Sequence, residues 1–217
     1  MNYLNERNEV LNCARKIYKS GLVTGTWGNA SVRVVDEEIM VITPSGMDYN
    51  LMEAQDMVVV DFAGRVVEGQ YRPSTELPLH LRIYQQRADI NAVVHVHSTY
   101  ALSFAVARKN IPVILEETAQ VIGHEIELAE YAHCGTELLA DNVIKALGNN
   151  KKAVLLANHG LVALGKDIAE ALKICFIAEK TAMVAINASS LGAIYALADE
   201  DVLLLNRKFK SYGQAKK

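Results

Sequence analysis

Apolar and polar positions alternate with two different periods along this chain, and the switches between them mark its elements. Over 3–20 the apolar residues Leu4, Leu11, Ala14 and Tyr18 fall on one stripe of an amphipathic helix, and Gly21 follows as a stop. A loop of small residues, Gly21–Asn29, leads to strand-like pieces at 31–35 and 39–42, separated by the turn Asp36-Glu-Glu38. After the polar loop Ile42-Thr-Pro-Ser-Gly46, the runs Met57–Asp61 and Arg65–Val67 flank Phe62-Ala-Gly64 and read as a hairpin. Ser74 or Thr75 is placed to cap a helix to about residue 88, with Pro78 tolerated only in its first turn. A strand at 92–97 then gives way to an apolar helix at 99–107.

The second half repeats the alternation. Residues 135–147 read as a helix, and 153–157 and 161–164 as two strands on either side of Asn158-His-Gly160. Asp167 and Glu170 have capping-box spacing and open a long helix ending near Gly192, with Ile168, Leu172, Cys175, Ala182, Met183 and Ile186 along its apolar stripe. A short helix and tail begin at Asp199. With no repeat, low-complexity tract or linker, the pattern predicts an α/β fold, one α/β/α layered domain over 1–217. The hairpin signals make its sheet other than purely parallel.

Composition narrows the function classes. With 217 residues, 51% apolar and 22% charged, the chain carries enough apolar material for a sizeable core rather than disorder. A net charge of −3 argues against a nucleic-acid or anionic-membrane binder, and the basic stretch Arg207-Lys-Phe-Lys210 is too short to reverse that. Cys13, Cys134 and Cys175 are widely spaced and odd in number, which reads as reduced thiols in a cytoplasmic protein. The N-terminus lacks a signal-peptide apolar region, and no apolar run approaches the ~20 residues that span a bilayer.

Candidate chemistry concentrates on three imidazoles. His95 and His97 are two apart at the end of a strand, so both rings project from one face and converge. His159 follows another strand-like run, and Glu76 stands at the opening of a helix. Three imidazoles and a carboxylate make a divalent-metal shell that suits zinc (Zn2+), with manganese, iron or cobalt as competitors. His80, His124 and His133 have no partner spacing and are assigned to the surface or to ordinary hydrogen bonding. Three loops, Gly28-Asn29, Ser45-Gly46 and Ser74-Thr75, offer backbone NH groups, an amide and hydroxyls, the donors of a phosphate site. Neither the Gly-Lys-Ser/Thr of a P-loop nor the glycine spacing of a dinucleotide fingerprint is present, so ATP and NAD are unsupported.

The segments Gly28-Asn-Ala-Ser-Val-Arg33, Ile42–Gly46, Ser74-Thr-Glu76, Val93-Val-His-Val-His97, Tyr131 with Gly135-Thr-Glu-Leu138, and Asn158-His-Gly160 together resemble the class II sugar-phosphate aldolases, within the aldolase, epimerase and adducin-head superfamily. The likeness covers nearly the whole chain in order and is greatest to the L-fuculose-1-phosphate aldolase branch. It implies a three-layer α/β/α domain with a mainly antiparallel central sheet, and a homotetramer with sites between subunits. It further implies that His95, His97, His159 and Glu76 ligate zinc, and that Glu76 swings away to act as acid/base. Gly28, Asn29, Ser45, Gly46, Ser74 and Thr75 would hold the substrate phosphate. Tyr212, in Lys208-Phe-Lys-Ser-Tyr-Gly213, matches a tail tyrosine that handles the proton on the departing aldehyde oxygen.

The implied reaction is reversible cleavage of a phosphorylated sugar, a ketose 1-phosphate, into dihydroxyacetone phosphate and a small aldehyde. The chain departs from the branch at Glu116, where a tyrosine is usual, and at Cys134, where a bulkier aromatic is usual, which implies a different aldehyde preference. An L-ribulose-5-phosphate 4-epimerase would carry Asp at Glu76, and a sugar-phosphate dehydratase shares the fold. An adducin-like head would lack the metal ligands, and a purely structural zinc site would be rich in cysteine.

Overall fold

A computed structural model describes residues 1–209. Its centre is an eight-stranded sheet built from β1 (Asn29–Val34), β2 (Ile39–Ile42), β3 (Val58–Asp61), β4 (Val66–Glu68), β5 (Ala92–Val96), β6 (Glu127–Ala129), β7 (Ala153–Leu156) and β8 (Gly160–Gly165). The spatial order is β4-β3-β2-β1-β5-β8-β7-β6, and every neighbouring pair is antiparallel except β6 with β7. Among the described residues seven α-helices surround it: α1 (Leu4–Lys19), α2 (Leu77–Gln86), α3 (Thr99–Val106), α4 (Glu116–Val121), α5 (Glu137–Leu147), α6 (Ile168–Ser189) and α7 (Asp199–Phe209). The α/β/α layering and the mainly antiparallel sheet are as the sequence and the resemblance implied. No helix among the described residues is long and apolar enough to cross a membrane.

The period of two along each strand sorts the side chains into two cores. Val32, Val41, Val59, Val94, Leu155 and Ala163 pack under α1, α3 and α6. Their sequence neighbours Met40, Ile42, Val58, Val60, Val93, Val154 and Val162 pack under α2 and α5. The central strands β5, β7 and β8 are buried along their whole length, because helices cover both faces.

Several elements differ in detail from the sequence reading. The buried stripe of α1 is Val10, Leu11, Ala14 and Ile17, whereas Leu4 is 48% exposed, since it sits in the first turn beyond the sheet. Helix α2 begins at Leu77 with Glu76 at its N-cap position, and neither Ser74 nor Thr75 caps it with a side chain. Helix α4 and strand β6 carry no periodic pattern to announce them: α4 spans six residues and β6 three. Both are held by tertiary contacts, α4 through Thr118 to Thr181 of α6 and through the small cluster Val113, Ala119 and Val202 to α7. At the start of α6, Asp167 accepts from the Glu170 amide, and Glu170 accepts from the Lys166 amide.

Candidate metal centre and phosphate cleft

On β5, Ala92, Val94 and Val96 turn toward one core, which sends Val93 and His95 to the opposite face. His95 is fully buried, and its Nδ1 lies 3.0 Å from the carbonyl of Leu161 on the neighbouring β8. A carbonyl only accepts, so Nδ1 carries the proton and Nε2 presents a lone pair to the cleft. His97 follows the strand, and its amide is tied to Leu22 C=O at 3.1 Å. His159 sits in the turn between β7 and β8, which is closed by its amide to Leu156 C=O at 3.0 Å. That turn needs a positive φ at Asn158, +58°, which Asn tolerates better than most residues.

The three rings meet edge to face, with centroids 4.8, 4.9 and 5.0 Å apart. Their ligand nitrogens all fall within 4.8 Å of one another. Gly160 permits this closeness. A Cβ there would stand 2.4 Å from Val96 C=O, 3.0 Å from the His95 ring and 3.1 Å from the His97 ring.

Glu76 completes the cluster from the start of α2. It is only 4% exposed, with Oε2 at 3.0 Å from His95 Nε2 and Oε1 at 3.4 Å from His159 Nε2. The contact with His95 is not an ion pair. Burial, with a smaller push from His159, lowers the His95 pKa to about 3, and burial together with His95 and His159 lowers that of His97 to about 3. The neutral His95 ring therefore turns its Nε2 lone pair toward a carboxylate. Glu76 Oε1 has no hydrogen-bond partner, although it is buried. A buried carboxylate oxygen without a donor, beside ring nitrogens, makes an electrostatically unfavourable arrangement that a cation relieves. Three imidazoles and a carboxylate therefore fit a divalent metal ion.

A cleft of about 660 Å³ opens over this cluster. All six residues of the three donor loops line it, Gly28, Asn29, Ser45, Gly46, Ser74 and Thr75, beside Glu76, His97 and His159. The Ser45 and Ser74 amides are committed to Arg72 C=O and Thr43 C=O. The donors left to a ligand then include the hydroxyls of Ser45, Ser74 and Thr75 and the amides around Gly28, Gly46 and Thr75. Gly28 has φ +150°, and a Cβ there would meet Val23 Cγ1 at 2.5 Å, so only glycine lets this loop pass so close. Asn29 does more than line the cleft: its Nδ2 donates to Glu76 Oε2 at 2.9 Å.

The remaining wall includes Trp27, Tyr131, His133 and Cys134. Cys134 is thus at the cleft, while Glu116 heads α4 and does not line it. Tyr212 lies outside the described residues. His80 is not a surface residue. It is fully buried on α2 and bonded to Asn29 and Ser31, and burial holds its pKa down to about 3. The signal for it was available in the sequence, since His80 lies one helical turn after Glu76 and faces polar Asn29 and Ser31 on a strand that otherwise alternates with Ala30 and Val32.

Comparison with known proteins agrees with the geometry. Residues 8–186 match the family described as Class II Aldolase and Adducin N-terminal domain. A 5-deoxy-D-ribulose 1-phosphate aldolase of Bacillus thuringiensis is 36% identical over 96% of this chain and 97% of its own length. An L-fuculose phosphate aldolase of Escherichia coli is 35% identical over 96% of this chain and 97% of its own. A solved structure of an L-fuculose 1-phosphate aldolase superposes with a TM-score of 0.91 at 39% identity, covering 95% of this chain and 96% of that one. With its sheet, its histidine cluster and its matched length all in accord, the chain belongs to the class II aldolase and adducin N-terminal domain family and is a lyase of the class II aldolase type.

Proposed function

We propose that this protein is a zinc-dependent aldolase that reversibly cleaves a ketose 1-phosphate, L-fuculose 1-phosphate or a similar sugar, into dihydroxyacetone phosphate and a small aldehyde. The observation that carries the reading is the buried Glu76 carboxylate, with one oxygen unpartnered, facing the imidazole cluster at the head of a cleft lined by phosphate-type donors. His95, His97, His159 and Glu76 hold the metal, which when bound supplies a Lewis acid for the negative charge that develops on the substrate during C–C cleavage.

The chain's own groups do the rest. The hydroxyls of Ser45, Ser74 and Thr75, with the backbone at Gly28, Asn29 and Gly46, anchor the phosphate and so fix where the C3–C4 bond lies. Glu76 moves a proton to and from C3, the carbon left with the electron pair when that bond breaks. Tyr212 is assigned, on the resemblance, the proton of the C4 oxygen; a neutral phenol with an ordinary pKa near ~10 can donate at pH 7 without carrying charge. The site is completed by subunit association in a cytoplasmic homotetramer. The relatives act on two different sugar phosphates, as their names state, and Cys134, on the cleft wall, gives this cleft its own aldehyde side.

A panel of ketose 1-phosphates that includes L-fuculose 1-phosphate and 5-deoxyribulose 1-phosphate tests the reading. Released dihydroxyacetone phosphate is measured with and without a chelator. Chelator-sensitive release, restored by zinc, is expected. Chelator-insensitive cleavage removes the metal role, and a sugar isomer formed without free aldehyde replaces aldolase by epimerase.

A further inference from the structure

We propose that His80 is a positioning residue that sets the orientation of the Glu76 carboxylate through Asn29, an inference that rests on the proton-carrying role given to Glu76 above. The residues form one buried chain. Tyr84 Oη lies 2.8 Å from Ser31 Oγ, which lies 2.6 Å from His80 Nδ1. On the other side of the ring, His80 Nε2 is 2.6 Å from Asn29 Oδ1, and Asn29 Nδ2 is 2.9 Å from Glu76 Oε2. None of the five is more than 7% exposed.

The direction of every bond follows from the carboxylate end. Glu76 accepts, so Asn29 turns its NH2 to it and its Oδ1 to His80. Nε2 of His80 must then donate, which leaves Nδ1 to accept from Ser31, and Ser31 to accept from Tyr84. Asn29 cannot rotate its amide without leaving both Glu76 and His80 facing a group of the wrong kind. The relay therefore distinguishes the two carboxylate oxygens. Oε2 is tied to Asn29, and Oε1, which has no hydrogen-bond partner, is left facing the imidazole cluster.

His80→Phe fills similar space but cannot donate to Asn29. His80→Gln can, because its amide nitrogen reaches about the position of Nε2. His80→Phe is expected to lower kcat by about 10- to 100-fold with KM changed less than about 3-fold, and to weaken zinc binding to the stripped protein about 10-fold, as loss of such an outer partner usually does. His80→Gln is expected to recover most of both. In a Glu76→Gln background, His80→Phe should weaken zinc binding no further, because its effect travels through the carboxylate. Equal losses in both backgrounds, or a Gln variant no better than Phe, would mean a merely structural role and would overturn the proposal. The wild-type protein supplies a check that does not depend on His80→Phe folding. Long-range proton–nitrogen correlation of its imidazoles, assigned by the peak absent from His80→Gln, should find the Nε2–H tautomer at His80, and an Nδ1–H tautomer would refute the relay. If wild-type cleavage ignores chelators, the parent reading fails instead, and the tautomer measurement still decides the relay.

Discussion

Replacing Glu76 by Gln should make the metal-free protein more stable while removing its activity. Asn29 Nδ2 donates at 2.9 Å to the position of Oε2, so the Gln oxygen must take that place. Its NH2 then occupies the position of Oε1, 3.4 Å from His159 Nε2, so a donor replaces the buried acceptor that had no partner. Satisfying a buried acceptor returns about 1–3 kcal/mol, and turning the charge-assisted bond from Asn29 into a neutral one gives back about 1 kcal/mol of that. The net gain is about 1 kcal/mol, a Tm rise of about 2–4 °C for a chain of this length. Zinc should reverse the order. At 100 times its dissociation constant a ligand stabilises by about 2.7 kcal/mol, and a variant that has lost its charged ligand forfeits much of this. The assay is thermal unfolding of both proteins, in chelator and in excess zinc, beside dihydroxyacetone-phosphate release. A Glu76→Gln protein that melts below wild type in chelator, or gains as much from zinc as wild type does, would refute the reasoning.

Gly160→Ala should lower stability by about 1–3 kcal/mol and weaken zinc binding together, because its Cβ would stand 2.4 Å from Val96 C=O and press on both His95 and His97; equilibrium denaturation and zinc titration measure the two effects, and unchanged values would contradict the packing described. Burial keeps His80, His95 and His97 neutral in the chelated protein down to about pH 3, whereas in the unfolded chain they protonate near 6.5. The unfolded state therefore binds more protons between those limits, and stability present above pH 6.5 is lost as pH falls, by up to about 1.4 kcal/mol per unit per ring. Denaturation of the chelated protein at pH 7.5 and 5.5 checks the sign, which a flat profile would contradict. Iodoacetamide should label Cys134 first, since it is exposed on the cleft wall while burial pushes Cys13 up to about 12 and Cys175 well above its ordinary value. Mass spectrometry with and without dihydroxyacetone phosphate should find this adduct slowed by the ligand; first labelling at Cys13 or Cys175 would contradict the assignment.

Much of the fold was legible because it is locally written. Alternation over β1, β2, β5 and β8, and the helical period over α1, α5 and α6, appear in stretches of a few residues. Where the pattern was too short, at α4 and β6, it could not speak: three or six residues hold too few apolar repeats to distinguish an element from a loop. The misplacement of Leu4 on the buried stripe has a similar cause. Period alone gives the angle around the helix but not where along its length the sheet ends.

The sequence by itself determined which donors were available: three imidazoles, a carboxylate and three small polar loops, each on an element whose local pattern was readable. Tertiary structure alone decided that they meet. His95 and its fixing partner Leu161 are 66 residues apart, and Asn29 and Glu76 are 47 apart. Their contact depends on strand register, Asn29 opposite His95 and His95 opposite Val162, and on a close approach that Gly160 allows. The same packing assigned His80 to the site. A side chain's neighbours across a sheet are set by pairing between distant strands, a property no short window of sequence contains.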